Sequence, residues 1–561
     1  GLAEAHLAAR YNRPGHGVID HCVYAICSDG DLMEGVASEA GSLAGHLKLG
    51  KLIYFWDDNK ITIEGSTDLA FTEDVGKRFE AYGWHTARVE DGNDLEAIDA
   101  AIREAKADPR PSMISVRTII GYGSPNKAGS EKAHGEALGE EEIKLTKTAL
   151  GWPSQDSFFV PDEALAHMRA SGERGAPAQD DWNQRMATFR QAHPDVAAEL
   201  EQALSRTLPQ GWDADLPTWG KDDKPIATRA ASGKALNAIA RRVPWLMGGS
   251  ADLAGSNNTN IDGGGDFGAD NYAGRILHFG VREHAMGSVM NGMTLHGGVR
   301  VFGGTFLIFS EYMRPPVRLA ALMEQPTIYV YTHDSVGLGE DGPTHQPIEQ
   351  LPSLRAIPGL IDLRPADANE TAEAWRFAME HTEGPVFLSL TRQALPILDR
   401  GTLAPASGLR KGAYVLADAE GGDPQVILIA TGSEVALALE ARDALAGEGV
   451  RARVVSMPSW ALFSQQSKAY RDQVLPPAIQ ARVSIEAAHP MGWHRWVGSE
   501  GEAIGISRFG ASAPAKRVFQ ELGLSADNVV AKAKLLLGMG DGESEMGRAG
   551  AGPTAHGTDE K

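Results

Sequence analysis

Cysteine, positive charge and long apolar runs are all scarce in this chain. Only Cys22 and Cys27 occur among 561 residues. That is too few for a disulfide framework or a cysteine-rich zinc site, and it favours a reducing cytoplasm. No stretch of eighteen apolar residues exists, so nothing reads as a membrane-spanning helix. Lys plus Arg number 53 against 74 Asp plus Glu, a net charge of −21. Such a surface repels nucleic acid and anionic lipid and argues against both as main partners. Any anionic substrate must be captured by a locally basic pocket. No repeat of solenoid or propeller period is present.

What is present is globular. Apolar residues make up 42%, with eleven Trp, which is ample for buried cores and excludes a disordered or fibrous chain. The length predicts three or four domains. The chain opens at Gly1 rather than Met, and GLAEAHLAARYN reads as the middle of an amphipathic helix without an N-cap. It has neither the basic region nor the apolar core of a signal peptide.

Short apolar runs alternate with helical stretches, the α/β pattern. VYAICS (23–28) breaks at Asp29-Gly30 and leads into MEGVASEAGSLAGHLKL, read as one small-residue helix. KLIYFW (51–56) and SMISVRTII (112–120) follow as strands of a parallel sheet. The polar stretch 208–225 reads as a linker between domains over 1–207 and 226–402. The second domain holds WLMGGSADL, RILHFGVREHAMG, GGTFLIF, TIYVYTHDS and VFLSLTR. A third domain over 403–537 repeats strand, turn, helix and strand. Residues 538–561 carry seven Gly and no Val, Ile, Leu or aromatic, and are expected to be a disordered tail.

Five constellations carry chemistry. An Asp-Gly after a strand is usually only a turn. Here, however, Asp29 and Asn59 each end a strand of one βαβ unit, on the edge where open α/β sheets bind ligands. A carboxylate with an amide oxygen suits Mg²⁺ or Ca²⁺, with a diphosphate as natural co-ligand. No P-loop or G-x-G-x-x-G at this turn supports an ordinary nucleotide. GVREHAMG places Glu283 directly after a strand, where a Glu is ordinarily helix-start decoration. GGTFLIFSEY spaces Phe306, Phe309 and Tyr312 at i, i+3 and i+6, a spacing more often plain core than a platform. THDSVGLGEDGPTHQP sets His333, Asp341 and His345 in a segment too irregular for a strand or helix, and such loops usually serve a site. SPNKAGSEKAHGEALG carries His134 in a flexible loop, where a lone His is usually inert.

Beyond pattern, long motifs resemble those of transketolases. They include DGDLMEGVASEAGSLAGHLKLGKLIYFWDDNKITIEG, GGSADLAGSN, REHAMG, GGTFLIFSEYMRPPVRLAALM, THDSVGLGEDGPTHQPIEQLPSLRAIPGL and IATGSEV, and the match runs in order to about 535. The resemblance implies three α/β domains with mainly parallel sheets, a homodimer, and thiamine diphosphate with Mg²⁺ or Ca²⁺. It implies cytoplasmic transfer of a two-carbon ketol unit between sugar phosphates in the pentose phosphate pathway, through an enamine on the cofactor. By it, Asp29, Asn59 and the carbonyl of Ile61 hold the metal, Gly30 approaches the diphosphate, and Ile120 lies by the thiazolium. Glu283 bonds the pyrimidine, Phe309 stacks on it, Phe306 and Tyr312 complete the pocket, and Asp252 faces the cofactor. Glu34 and Glu39 join Glu283 across the dimer interface. Arg229, Ser256, His333 and Arg392 grip the sugar phosphate, Asp341 reads a hydroxyl, and His345 with His134 moves protons. IATGSEV resembles a nucleotide turn, but the family gives that domain no catalytic residue, so scaffold is expected.

Two departures from the family pattern stand out. Ser28 replaces the usual Gly before Asp29-Gly30, a small-for-small exchange. Several histidines and a Gly-rich turn that the family carries ahead of this first residue, on the order of a hundred residues, have no replacement in the chain. As given, it is therefore expected to bind cofactor poorly and turn over slowly. The rivals are dihydroxyacetone synthase, 1-deoxyxylulose 5-phosphate synthase, and one half of a split transketolase that needs a partner chain. The paired histidines and Arg392 disfavour the second.

Overall fold

The structure, a computed structural model, describes residues 1–539. The tail expected over 538–561 lies, from position 540 on, outside the described residues. Contacts divide the chain into two units. One comprises Gly1–Asp334 and Ser353–Ile397, the other Ser335–Pro352 and the chain from Leu398.

The first unit holds two parallel sheets. In one, β1 (Val23–Ser28), β2 (Leu52–Asp58), β3 (His85–Val89) and β4 (Ser112–Arg117) lie in the order β1-β2-β4-β3. β2 therefore runs two residues past the expected end at 56, and β4 stops three short of 120. Asp57 and Asp58 stay in the ladder, opposite Val116 and Arg117 of β4. The Thr118 hydroxyl donates to Asp57, and Lys60 Nζ lies 2.9 Å from Asp58 Oδ1. A short helix, Asp29–Met33, stands where the sequence predicts a turn, and the helix expected over 33–49 spans Gly35–His46, the two parted by Glu34, which is extended at φ −63°, ψ 135°. A capping box starts the first, with Ser28 N donating to Asp31 Oδ2 at 2.8 Å. Small residues in the second permit close packing. A Cβ at Gly45 would stand 1.9 Å from the Tyr82 carbonyl oxygen.

The second sheet orders six strands β9-β10-β8-β7-β5-β6, from β5 (Leu246–Ser250), β6 (Ile276–His278), β7 (Arg300–Phe306), β8 (Ile328–Thr332), β9 (Ile361–Leu363) and β10 (Val386–Leu390). Strands β5, β7, β8 and β10 are buried along their whole length, as a parallel sheet covered on both faces requires. Segment 208–225 has no helix or strand but is fastened down. Asp213 pairs with Arg376 at 2.9 Å, Asp215 with Arg242 at 2.7 Å, and Trp219 exchanges bonds with Asn369.

The second unit is built on β11 (Tyr414–Ala417), β12 (Val426–Ala430), β13 (Ala452–Ser456), β14 (Arg482–Ile485) and β15 (Glu502–Ile504), in the order β11-β13-β12-β14-β15. Only β11 is antiparallel to its neighbour. Within this unit Gln346 Nε2 donates to the carbonyls of Gly339 and Ala511, at 2.9 and 3.0 Å. No helix among the described residues is long and apolar enough to cross a membrane.

Candidate active site

Parallel strands present their carboxyl ends together, and most of the expected residues fall there. In the first sheet Asp29 follows β1 and Asn59 follows β2, and the register sets Ser28 beside Asp57. Asp29 is buried, and its Oδ2 accepts the Lys60 amide at 3.0 Å while its Oδ1 has no hydrogen-bond partner. Burial pushes this carboxyl up, and the charge of Asp58 adds to the rise against the Lys60 amide. Asn59 Oδ1 accepts the Ile61 amide at 2.9 Å. A Cβ at Gly30 would meet no atom within 4 Å, so the backbone there is open to a ligand. Ile120, beyond β4, is half-buried and takes the Gly129 amide on its carbonyl at 2.9 Å. His134 closes a short turn over Glu131–Ala133, with its Nδ1 buried and unpartnered.

The second sheet shows the same logic across five adjacent strands. Passing from β10 to β6, their carboxyl ends lead to Arg392, His333, Phe306, Asp252 and Glu283. Glu283 does not follow its strand directly, because residues 279–282 intervene and it is the first residue of the Glu283–His296 helix. It is 8% exposed. Burial holds its carboxyl above the usual range, and the charge of Glu39 adds to that.

Three residues at these ends have left-handed backbones: Lys60 (φ 65°), Asp252 (φ 63°) and His333 (φ 58°). Such conformations cost of order 1–3 kcal/mol each and gather at ligand sites. His333 is buried and stacks on Phe306 with ring centres 3.7 Å apart. Its turn is pinned by Asp334, which pairs with Arg364 at 2.9 Å in full burial. Phe306, Phe309 and Tyr312 run from core to surface, the first buried, the second half-buried and the third exposed. Phe306 ends β7 and caps the 3₁₀-helix Leu307–Met313, whose three residues per turn set Phe309 and Tyr312 on one side. Phe306 and Phe309 stack at 5.7 Å and 12°, and Tyr312 is 66% exposed.

The two sheets of this unit meet in one chain through side chains from the Gly35–His46 helix. Glu39 Oε2 accepts the Ala285 amide at 2.8 Å, and Arg282 Nη2 donates to Ser42 Oγ at 3.1 Å. Glu34, by contrast, is exposed. A cleft of about 560 Å³ opens here, lined among others by His46, Asp252, His278 and Arg282. Sequence reasoning overlooked Arg282 and His278, although REHAMG contains the first. Arg229 Nη1 donates to the Ser256 carbonyl at 2.7 Å, so those two expected residues are together.

Asp341 and His345 belong to the second unit. Asp341 is exposed, and His345 is half-buried with Nδ1 3.0 Å from Thr344 Oγ1. In the same unit the IATGSEV turn is filled by its own side chain. Glu434 is buried at the helix start and accepts the Ala487 amide at 2.9 Å and the Ser433 hydroxyl at 2.5 Å. A carboxylate thus takes the place a phosphate occupies in a nucleotide turn, the physical ground for reading the turn as scaffold.

Comparison with known proteins matches three segments of the chain to family models. Residues 1–209 match the transketolase thiamine diphosphate binding domain, 224–397 the transketolase pyrimidine binding domain, and 412–525 the transketolase-like C-terminal domain. The transketolase of Geobacillus stearothermophilus is 56% identical over 539 residues, covering 96% of this chain and 80% of that protein. The Bacillus subtilis transketolase is 50% identical over 538 residues, with the same coverage. Among solved structures, transketolase from Leishmania mexicana superposes with a TM-score of 0.91 at 43% identity, covering 97% of this chain and 80% of that one. The Pichia stipitis transketolase in complex with sedoheptulose 7-phosphate gives 0.92 at 43% identity, covering 96% and 79%. With the motifs, the sheet edges and relatives of this identity in agreement, the chain belongs to the transketolase family.

Proposed function

We propose that the carboxyl edges of the first unit's two sheets hold thiamine diphosphate with a divalent cation, and that the protein moves a two-carbon ketol unit between sugar phosphates. The run Arg392, His333, Phe306, Asp252 and Glu283 on five adjacent strand ends carries this reading. Relatives solved with xylulose 5-phosphate and sedoheptulose 7-phosphate support the substrate class, and with it a place in the pentose phosphate pathway. Relatives named transketolase favour this reading over the two synthase alternatives.

The residues fit the implied groups. Asp29 offers a buried oxygen without a partner, Asn59 a second lone pair on its amide oxygen, and Ile61 a carbonyl. This hard-oxygen set would suit Mg²⁺ or Ca²⁺, and Gly30 and Ile120 would lie beside the cofactor. When bound, the cofactor supplies a nucleophilic carbon and the electron sink that C–C cleavage needs. The chain supplies the surroundings. Glu283, whose carboxyl is raised by burial and by the charge of Glu39, would hydrogen-bond the pyrimidine ring. Phe306, Phe309 and Tyr312 present an apolar wall, and Asp252 a polar one. Arg229, Ser256, His333 and Arg392 bind the phosphate end, giving the acidic protein its local cationic patch. His134, Asp341 and His345 keep the roles the resemblance implies: proton transfer for the histidines, hydroxyl recognition for Asp341.

A homodimer and a cytoplasmic location complete the proposal. Family membership supports the first, and the unpaired Cys22 and Cys27 support the second. Supplying xylulose 5-phosphate with ribose 5-phosphate, against pyruvate with glyceraldehyde 3-phosphate, tests the reaction. Cofactor-dependent product from the first pair alone is expected. Product from the second pair alone overturns the reading.

A further inference from the structure

We propose that the buried pair Thr228–Thr391 is a positioning device that sets Arg229 and Arg392 for the phosphate end of the substrate. This rests on the assignment of those two arginines to the phosphate made above. Thr228 is fully buried and Thr391 is 1% exposed. Each amide donates to the other's hydroxyl: Thr228 N to Thr391 Oγ1 at 3.1 Å, and Thr391 N to Thr228 Oγ1 at 2.7 Å. The hydroxyls lie 3.1 Å apart, and Thr391 Oγ1 donates onward to the Gln393 carbonyl at 2.9 Å. With that proton spent on Gln393, the proton between the hydroxyls is Thr228's. Each hydroxyl therefore donates one bond, and the knot has a single arrangement.

Each threonine is followed by an arginine. Thr228 opens the fifteen-residue helix Thr228–Arg242, so Arg229 is its second residue. Thr391 follows β10, so Arg392 leaves the sheet at its carboxyl edge. Arg229 N reaches the Thr391 carbonyl at 3.4 Å. Just outside the knot, Ile226–Ala227 pairs antiparallel with Ala394–Leu395, which stops either segment sliding. The two cations thus leave one fixed point, on a helix start and a strand end 163 positions apart. Two arginines whose backbones are so fixed can meet one dianionic phosphate with only their side chains left to order at binding.

The test compares ribose 5-phosphate with ribose, binding to the intact protein by calorimetry without turnover. Thr391→Val keeps the side chain's shape but removes the hydroxyl. It should weaken ribose 5-phosphate binding about tenfold and leave ribose binding unchanged. Thr391→Ser restores the hydroxyl and should return affinity to within about twofold of wild type. Thr228→Ala breaks the knot from the other side and should show the same selective loss, which covers a Thr391→Val protein that does not fold. Arg229→Ala and Arg392→Ala are the reference. If they weaken phosphate-dependent binding while both threonine variants keep the full preference, or lose both sugars equally, the positioning role is wrong. If neither arginine variant alters the preference, the arginine assignment fails and takes the proposal with it.

Discussion

Glu39 accepts the backbone N–H of Ala285 at 2.8 Å within one chain, which seats its carboxylate beside the start of the helix that begins with Glu283. Two acidic groups are thus held together in partial burial, and Glu283 rises above the ordinary carboxyl value of 4.5. The expected role of Glu39 across a dimer interface therefore has to accommodate this contact inside the protomer.

A stability prediction follows from that rise. The native Glu283 carboxyl binds its proton more tightly than the unfolded one, so ionising it opposes folding. Its contribution is present below pH 4.5 and is lost as pH rises through the raised native value. Glu283→Gln, which cannot ionise, should melt above wild type at pH 7 in the absence of cofactor, with the difference vanishing near pH 4. Equal melting temperatures across that range would contradict the assignment.

His6 titrates in the opposite sense. It is fully buried with Nδ1 3.0 Å from the Tyr272 carbonyl oxygen, and burial, with the charges of Arg10 and Arg275, pushes it down from 6.5 to about 4. Folding then binds fewer protons than the unfolded chain, so stability is lost as pH falls from 6.5 toward 4. The loss is of order 3 kcal/mol. Denaturant melts at pH 7 and pH 4.5 should show it for wild type, and His6→Gln should flatten the difference.

The turn that holds His333 depends on Asp334 and Arg364, paired at 2.9 Å in full burial. Arg364→Met strands a buried carboxylate and should cost about 3–5 kcal/mol. The double change Asp334→Asn with Arg364→Met should recover part of that. A single variant as stable as wild type would show that the pair contributes nothing.

Much of the site is legible in the sequence for local reasons. Val23–Ser28 is an uninterrupted β-prone run broken by Asp29-Gly30, and strand spacing alone brings Asp29 and Asn59 to one edge. What escapes is non-local or conformational. Nothing in the residue type Lys announces the left-handed backbone of Lys60, and the knot of Thr228 with Thr391 joins positions far apart in the chain. The spacing of Phe306, Phe309 and Tyr312 is ambiguous because an i, i+3, i+6 pattern shares one side only where the backbone winds as 3₁₀ rather than α. Strands Ile361–Leu363 and Glu502–Ile504 are three residues each and carry Asp362 and Glu502, too short and too charged for an apolar-run criterion. The helix break at Glu34 shows only in its extended backbone.

The carboxyl edge around Asp29 and Asn59 is proposed to bind thiamine diphosphate through a divalent cation. The most direct measurement is a calorimetric titration of thiamine diphosphate into wild type and Asp29→Asn, with and without Mg²⁺. Binding, however weak, should saturate only with Mg²⁺ present, and Asp29→Asn should weaken it at least about tenfold. Binding that ignores Mg²⁺, or an Asp29→Asn protein with wild-type affinity, would contradict it.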